Sequence, residues 1–242
     1  MMLSHSIALD RMAKVASGGA NPWERDDALL WVDFDAPVLS GALIQRVYDR
    51  VTGDAFDANY PADTPVLNAS DASYNGKNTA TINGISGAAL VGPLRAYSGP
   101  LTLYACGESD GWHAKAICGD TPSDGYCLGN FWGGWTVQHD GVNIGGGSLH
   151  SKSVMCGTYE GTAGGAIRGY RNDMTVQTGS TGVDFVDSIE RWRVLHGSRN
   201  GGHVWGYGGA SNKLAMVAAF STEHDATTRQ LIADYLTSVY GA

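Results

Sequence analysis

Lys213-Leu-Ala-Met-Val-Ala-Ala-Phe-Ser221, running directly into Thr222-Glu-His-Asp-Ala-Thr-Thr-Arg-Gln-Leu-Ile-Ala-Asp-Tyr-Leu-Thr-Ser-Val-Tyr-Gly241, is the stretch that decides the fold. The first segment is a short unbroken apolar run and is expected to be a buried strand. The second predicts one amphipathic helix. Thr222 is expected to cap it, with Asp225 three residues on, and Glu223 and Asp225 lie where the positive end of the helix dipole favours carboxylates. Leu231, Ile232, Tyr235, Leu236, Val239 and Tyr240 recur at helical spacing, and Gly241 can take the left-handed cap. Burying each large apolar side chain on that face stabilises the domain by about 1.5–3 kcal/mol, so the helix is expected to be docked.

Outward from this segment the composition is that of a β protein. Among 242 residues there are 34 glycines, 11 tyrosines and 7 tryptophans. Glycine weakens helices and supplies the positive-φ positions of tight turns, while aromatic residues suit pleated surfaces. Candidate strands are Leu29-Leu-Trp-Val-Asp-Phe34, Leu43-Ile-Gln-Arg-Val-Tyr-Asp49, Asn78 to Gly84, Leu101 to Cys106 and His113 to Cys118. Further strands are expected at Tyr126 to Phe131, Trp135 to His139, Ser153 to Tyr159, Ala166 to Tyr170, Met174 to Thr178 and Arg191 to His196. No repeat of fixed period emerges, which argues against a propeller or solenoid.

Residues 1–27 read as an N-terminal arm, in which Ile7, Leu9, Met12 and Val15 share one side of a short helix before Ser17-Gly-Gly-Ala-Asn-Pro22 breaks it. The arm is either a mobile leader or a strap that docks on a neighbouring copy. Residues 28–242 read as one domain.

The formal net charge of −8 disfavours binding to a phosphate backbone, and no basic stripe with interleaved aromatics is present. No apolar run approaches the roughly 20 residues of a membrane helix, and the N-terminus lacks the pattern of an export signal. The chain therefore reads as soluble and unprocessed. Cys106, Cys118, Cys127 and Cys156 match no zinc-ribbon spacing. Cysteine's burial tendency favours free thiols, and a Cys118–Cys127 bridge across the intervening loop is the pairing expected on oxidation.

Taken in order, several segments resemble the laminin-G-like, concanavalin A-like jelly-roll superfamily. Ser153-Val-Met-Cys-Gly-Thr-Tyr-Glu-Gly161 and Ala166-Ile-Arg-Gly-Tyr-Arg-Asn-Asp173 are similar to that family's strand, acidic-glycine turn and return strand. Val194-Leu-His-Gly197, Leu30-Trp-Val-Asp33 and the closing strand and helix resemble its later, opening and final elements. The resemblance spans residues 28 to 241 and implies an all-β, two-sheet antiparallel jelly-roll sandwich with a short C-terminal helix. The Gly-Trp-rich stretch 125–147 and the glycine-rich segment 197–209 depart from it, and specificity is expected there, because function is grafted onto the loops of a shared scaffold.

A glycosidase in this superfamily needs carboxylates on alternate residues of one strand, about 5–5.5 Å apart for retention. The nearest match, Glu108-Ser-Asp110-Gly-Trp-His113, lacks the third carboxylate, and Asp184, Asp187 and Glu190 scatter across both faces of any strand. There is no Gly-x-Ser-x-Gly elbow, and the histidines at 113, 139, 150, 196, 203 and 224 show no partner pattern. No catalytic residue, metal site or cofactor is assigned; the resemblance allows a structural calcium ion but no ligand transfers to this chain. Sugar binding uses an aromatic ring against a pyranose face with Asp, Asn and His on the hydroxyls. Trp112, Asn130, Trp132, Trp135, His139 and Trp205 are the candidates, with core packing as the competing role for the tryptophans.

By analogy with modules of this kind on tails and capsids, the expected function is a non-catalytic structural or interaction protein of a bacteriophage virion surface. Its partners would be other virion proteins or copies of itself through the arm. The alternative is a carbohydrate-binding module, located on a virion or extracellular and recognising a host-surface glycan; a glycan-cleaving enzyme is the third reading.

Overall fold

The structure, a computed structural model, describes residues 21–59, 64–81, 90–109, 115–120, 125–131, 134–139, 142–148, 151–183, 185, 188–196 and 213–242. It is an all-β antiparallel sandwich of two sheets with one C-terminal helix, as expected for a jelly roll. The strands are β1 (Ala28–Asp33), β2 (Val38–Ser40), β3 (Leu43–Tyr48), β4 (Ala55–Ala58), β5 (Val66–Asp71), β6 (Lys77–Thr81), β7 (Leu90–Tyr97), β8 (Leu101–Glu108) and β9 (Lys115–Asp120). They continue as β10 (Tyr126–Phe131), β11 (Gly134–His139), β12 (Val142–Ser148), β13 (Ser153–Tyr159), β14 (Gly165–Arg171), β15 (Val176–Val183), β16 (Ile189–His196) and β17 (Lys213–Phe220), followed by the helix α1 (Ala226–Tyr240).

The first sheet runs β15–β14–β13–β8–β17–β1, with β6 pairing the start of β17 and β5 beside β6. The second runs β2–β3–β4–β7–β16–β9–β10–β11–β12. Two pairs, Leu43 with Val66 and Val32 with Asp49, join the sheets along an edge.

The quoted segment sits at the centre of the first sheet, where β17 lies between β8 and β1 and both of its faces are covered. Val217 and Ala219 enter the large core between the sheets, whereas Met216, Ala218 and Phe220 enter a second core under α1. β8 divides the same way, with Leu101, Leu103 and Ala105 on one side and Tyr104 and Cys106 on the other. This is why both strands read as continuous apolar runs and not as alternating ones. Gly157 of β13 marks a close approach of the sheets: a Cβ there would lie 2.7 Å from a methyl of Val137 on β11.

The helix differs from the sequence expectation at its start. Asp225, not Thr222, is the cap, its carboxylate accepting from Thr228 N–H at 2.7 Å. Thr222 is held elsewhere, donating its hydroxyl to Asp27 and offering its carbonyl to the Thr102 hydroxyl. At the far end Gly241 adopts φ +65° as expected. Ile232, Ala233, Leu236 and Tyr240 face the second core with Arg229, while Leu231, expected inside, is exposed.

Strands β2, β4, β5, β7 and β12 were not anticipated. β7 carries Pro93 and β12 is Val-Asn-Ile-Gly-Gly-Gly-Ser, so neither has the apolar alternation that marks a strand. Residues 21–27, assigned to the arm on sequence, pack on the domain: Trp23 lies 5.1 Å from Trp31 and 6.2 Å from Tyr235 between ring centres. Residues 1–20 lie outside the described residues.

Candidate functional site

Successive residues of a strand point to opposite faces, so strand registers assign each side of the second sheet. Leu90, Val194, Ile117, Leu128, Val137 and Ile144 align across β7, β16, β9, β10, β11 and β12, and all six enter the large core. One residue along each strand, Val91, Arg193, Cys118, Cys127, Gln138 and Asn143 align in the same order on the outer face. Thr136 of β11 and Arg191 of β16 flank this row.

The row has a firm middle and open ends. Cys118 and Cys127, directly opposed on β9 and β10, form a disulfide, which settles the oxidation alternative in favour of the bridge; Cys106 and Cys156 are free and buried. Burial pushes the Cys106 thiol up to about 12, so it stays protonated at neutral pH. Gln138 and Thr136 are each 8% exposed, whereas Arg191 and Arg193 are half-buried and Asn143 is exposed. The arrangement is a recessed polar floor with guanidinium groups at one end and an amide at the other. From Arg193 to Asn143 it crosses four strand intervals, about 19 Å at the usual strand spacing.

A second polar cluster closes the seam between β1, β8 and α1. The Tyr104 hydroxyl lies 2.9 Å from Nδ1 of His224, and Nε2 of His224 lies 3.1 Å from Asp27. Burial lowers the His224 pKa against the opposing pull of Asp27, so the ring is neutral, accepting from Tyr104 and donating to Asp27. Burial alone would raise the Asp27 pKa, but hydrogen bonds from His224, Arg25 and Thr222 outweigh it and hold the carboxyl below the usual carboxylate range. Arg229 donates to the His224 carbonyl at 2.5 Å and stacks 3.9 Å over Tyr170. Both ring nitrogens are occupied and the side chain is 2% exposed, so His224 has no lone pair to offer a substrate. The cluster is a clasp, not a catalytic triad. Sequence gave no sign of it, because Asp27 and His224 are 197 positions apart.

Among the sequence candidates, Trp135 and His139 lie on β11 and point inward. Trp135 is 1% exposed within the large core, and His139 is fully buried, stacked on Tyr126 at 4.2 Å and on Phe185 at 4.8 Å. Their parity with Val137 explains this and turns Thr136 and Gln138 outward instead. Asn130 lies on β10, paired with Trp135. Trp112, Trp132 and Trp205 lie outside the described residues, as do Asp110, Asp184 and Asp187. Glu108 ends β8 with its carboxylate 3.9 Å from Lys213, which also holds Asp71 at 2.9 Å. Among the described residues, no group of three His, Cys, Asp or Glu side chains could hold a metal ion.

No protein-family model matches the sequence, and no curated protein matches it either. Solved structures do share its fold. A Trypanosoma rangeli sialidase in complex with sialic acid superposes with a TM-score of 0.56 at 12% identity, over 98% of this chain and 39% of that one. The receptor-binding domain of botulinum neurotoxin type G gives 0.59 at 10% identity, over 87% and 51%. A structure of botulinum neurotoxin type C, which enters cells in dependence on interaction with two ganglioside molecules, gives 0.56 at 10% identity, over 87% and 51%. The chain thus spans between two fifths and half the length of these proteins. At such identities the likeness is one of fold.

Proposed function

We propose that this chain is a non-catalytic module that binds a glycan on the outer face of its second sheet and the loops around it. The observation that carries the reading is the row Arg193, Gln138 and Asn143 about the buried Cys118–Cys127 bridge, hydrogen-bonding side chains turned away from both cores. Saccharides are recognised by such convergent polar groups together with an aromatic platform, and Trp112, Trp132 and Trp205 are the aromatic residues proposed to complete it. The ganglioside interaction of a toxin with the same fold supports this choice of ligand class. Screening the intact protein against a panel of host-surface glycans tests it. Binding that Trp132→Ala weakens, with no reducing ends released on prolonged incubation, is the expected result. Silence across the panel, or adsorption unchanged by the substitution, removes the reading.

A second reading, a structural component of a bacteriophage virion surface, draws support from one patch. Val38, Leu39, Leu43 and Tyr48 of the β2–β3 hairpin are 37–46% exposed, and among the described residues β2 pairs on one side only. An apolar edge of this kind suits a protein–protein contact. Co-sedimentation with assembled particles, weakened by deleting residues 1–22, is the expected behaviour; a full-length protein that stays monomeric and never sediments with particles excludes it.

A further inference from the structure

The outer face carries a guanidinium that no described side chain answers; the β16–β9 ladder sets Asp120 directly opposite it. Among the described residues, Arg25, Arg46, Arg50, Arg95 and Arg168 are ion-paired, and Arg171 and Arg229 donate to oxygen acceptors. Arg193 also has a partner. Beyond its backbone pairing in the ladders with β7 and β9, Arg191 makes no side-chain hydrogen bond or ion pair with any described side chain, and its Nε is shielded from solvent without an acceptor. In a chain of net charge −8 this is a costly arrangement, because a shielded guanidinium N–H has lost water and gained nothing.

Position makes the arginine informative. β16 places Trp192 and Val194 in the large core, so Arg191 and Arg193, on either side of Trp192, project from the outer face together. They stand at one end of the polar row, with Gln138 and Asn143 further along it. A guanidinium presents parallel N–H donors that match the two oxygens of a carboxylate, a geometry no neutral hydroxyl reproduces.

We propose that the glycan taken by this face is an acidic one, a saccharide bearing a carboxylate such as a sialic or uronic acid, with the carboxylate received by Arg191. This rests on the glycan-binding reading above and narrows it. Arg191 fixes the acidic residue at one end of the row, and the amides of Gln138 and Asn143 receive hydroxyls of the sugars that follow. The row's length accommodates a short oligosaccharide.

Calorimetric titration of the full chain tests this with sialyllactose, its carboxyl methyl ester, an oligogalacturonate, lactose and a sulfated oligosaccharide that lacks carboxylates. At least one of the two carboxylate sugars should bind tenfold or more tighter than its uncharged counterpart, and more weakly as salt is raised. Arg191→Gln should cost that carboxylate sugar tenfold or more, and Arg191→Lys should recover only part of the loss. Equal affinity for sialyllactose, its methyl ester and lactose overturns the acidic preference and leaves the glycan reading standing. Preference for the sulfated sugar over both carboxylate sugars overturns the carboxylate assignment. Binding to no saccharide overturns both. Should Arg191→Gln fail to fold, the ester comparison on the unaltered protein decides alone.

Discussion

The two sheets present outer faces of contrasting character. On the first, Met216, Ala218 and Phe220 of β17 alternate with core-facing neighbours, and Ile232, Ala233, Leu236 and Tyr240 of α1 lie over them. On the second, the equivalent positions of β9 to β12 and β16 carry arginine, cystine, threonine, glutamine and asparagine. The first face gains stability by excluding water, and its polar groups serve only to seal the seam. The second turns hydrogen-bonding groups away from the cores around a bridged floor that is itself largely buried. In the proposed reading, a sandwich with one face under a helix and one polar face separates the work of holding the fold from the work of recognition.

The sharpest way to break this contrast is to compare two leucines of one helix. Leu236→Ala, at a fully buried position, should cost about 2–5 kcal/mol in denaturant unfolding. Leu231→Ala, on the exposed side, should stay below about 1 kcal/mol. Equal losses would mean that α1 is docked on a different face.

The second sheet's counterpart is its bridge, which closes a loop of sequence separation 9. Replacing Cys118 and Cys127 together by alanine should lower stability by about 2–3 kcal/mol on loop-entropy grounds. Hydrogen exchange should then quicken in β9 and β10 before it does in β17. A uniform change across both sheets would contradict a local action of the bridge on β9 and β10.

Smaller is the cap. Asp225→Ala should cost about 1 kcal/mol and lower the helical signal at the start of α1. Thr222→Ala should act through Asp27 and leave the helix intact; a loss of helicity on Thr222→Ala would restore the cap to that residue.

The least expected effect is a slope, bounded by a single proton. The His224 pKa is lowered in the folded state, so below the ordinary histidine value of 6.5 the unfolded chain binds the proton first and stability falls as pH drops. The lowered carboxyl of Asp27 works in the same direction at more acidic pH. His224→Gln should flatten the part of the profile just below pH 6.5, read by thermal unfolding at a series of pH values. A wild-type protein that grows more stable on acidification through that range would show that His224 gains a proton on folding.

What the sequence disclosed follows from the same division. β17, β13 and α1 were legible because residues buried on both faces, or along one helical stripe, leave an apolar signature in adjacent positions. β12, with three glycines in a row, leaves none, and its place in the sheet comes from the ladder it makes with β11. The proposed binding face was read by residue type, which selected Trp135 and His139; their parity with Val137 was the available signal, and it points both inward. Arg191 and Arg193 were seen only as part of a strand. The Asp27–His224 clasp was beyond reach, since two residues from opposite ends of the chain meet only once the sandwich has closed.

That closure bears on how the protein is made. β17 is the last of the described strands, yet it fills the gap between β1 and β8 at the centre of the first sheet. While residues 213–220 are still inside the ribosome, β1 and β8 have no shared neighbour to pair with, and the apolar faces they will bury stay open. Folding of the first sheet therefore waits for residues 213–220 and is governed by contacts of long sequence separation.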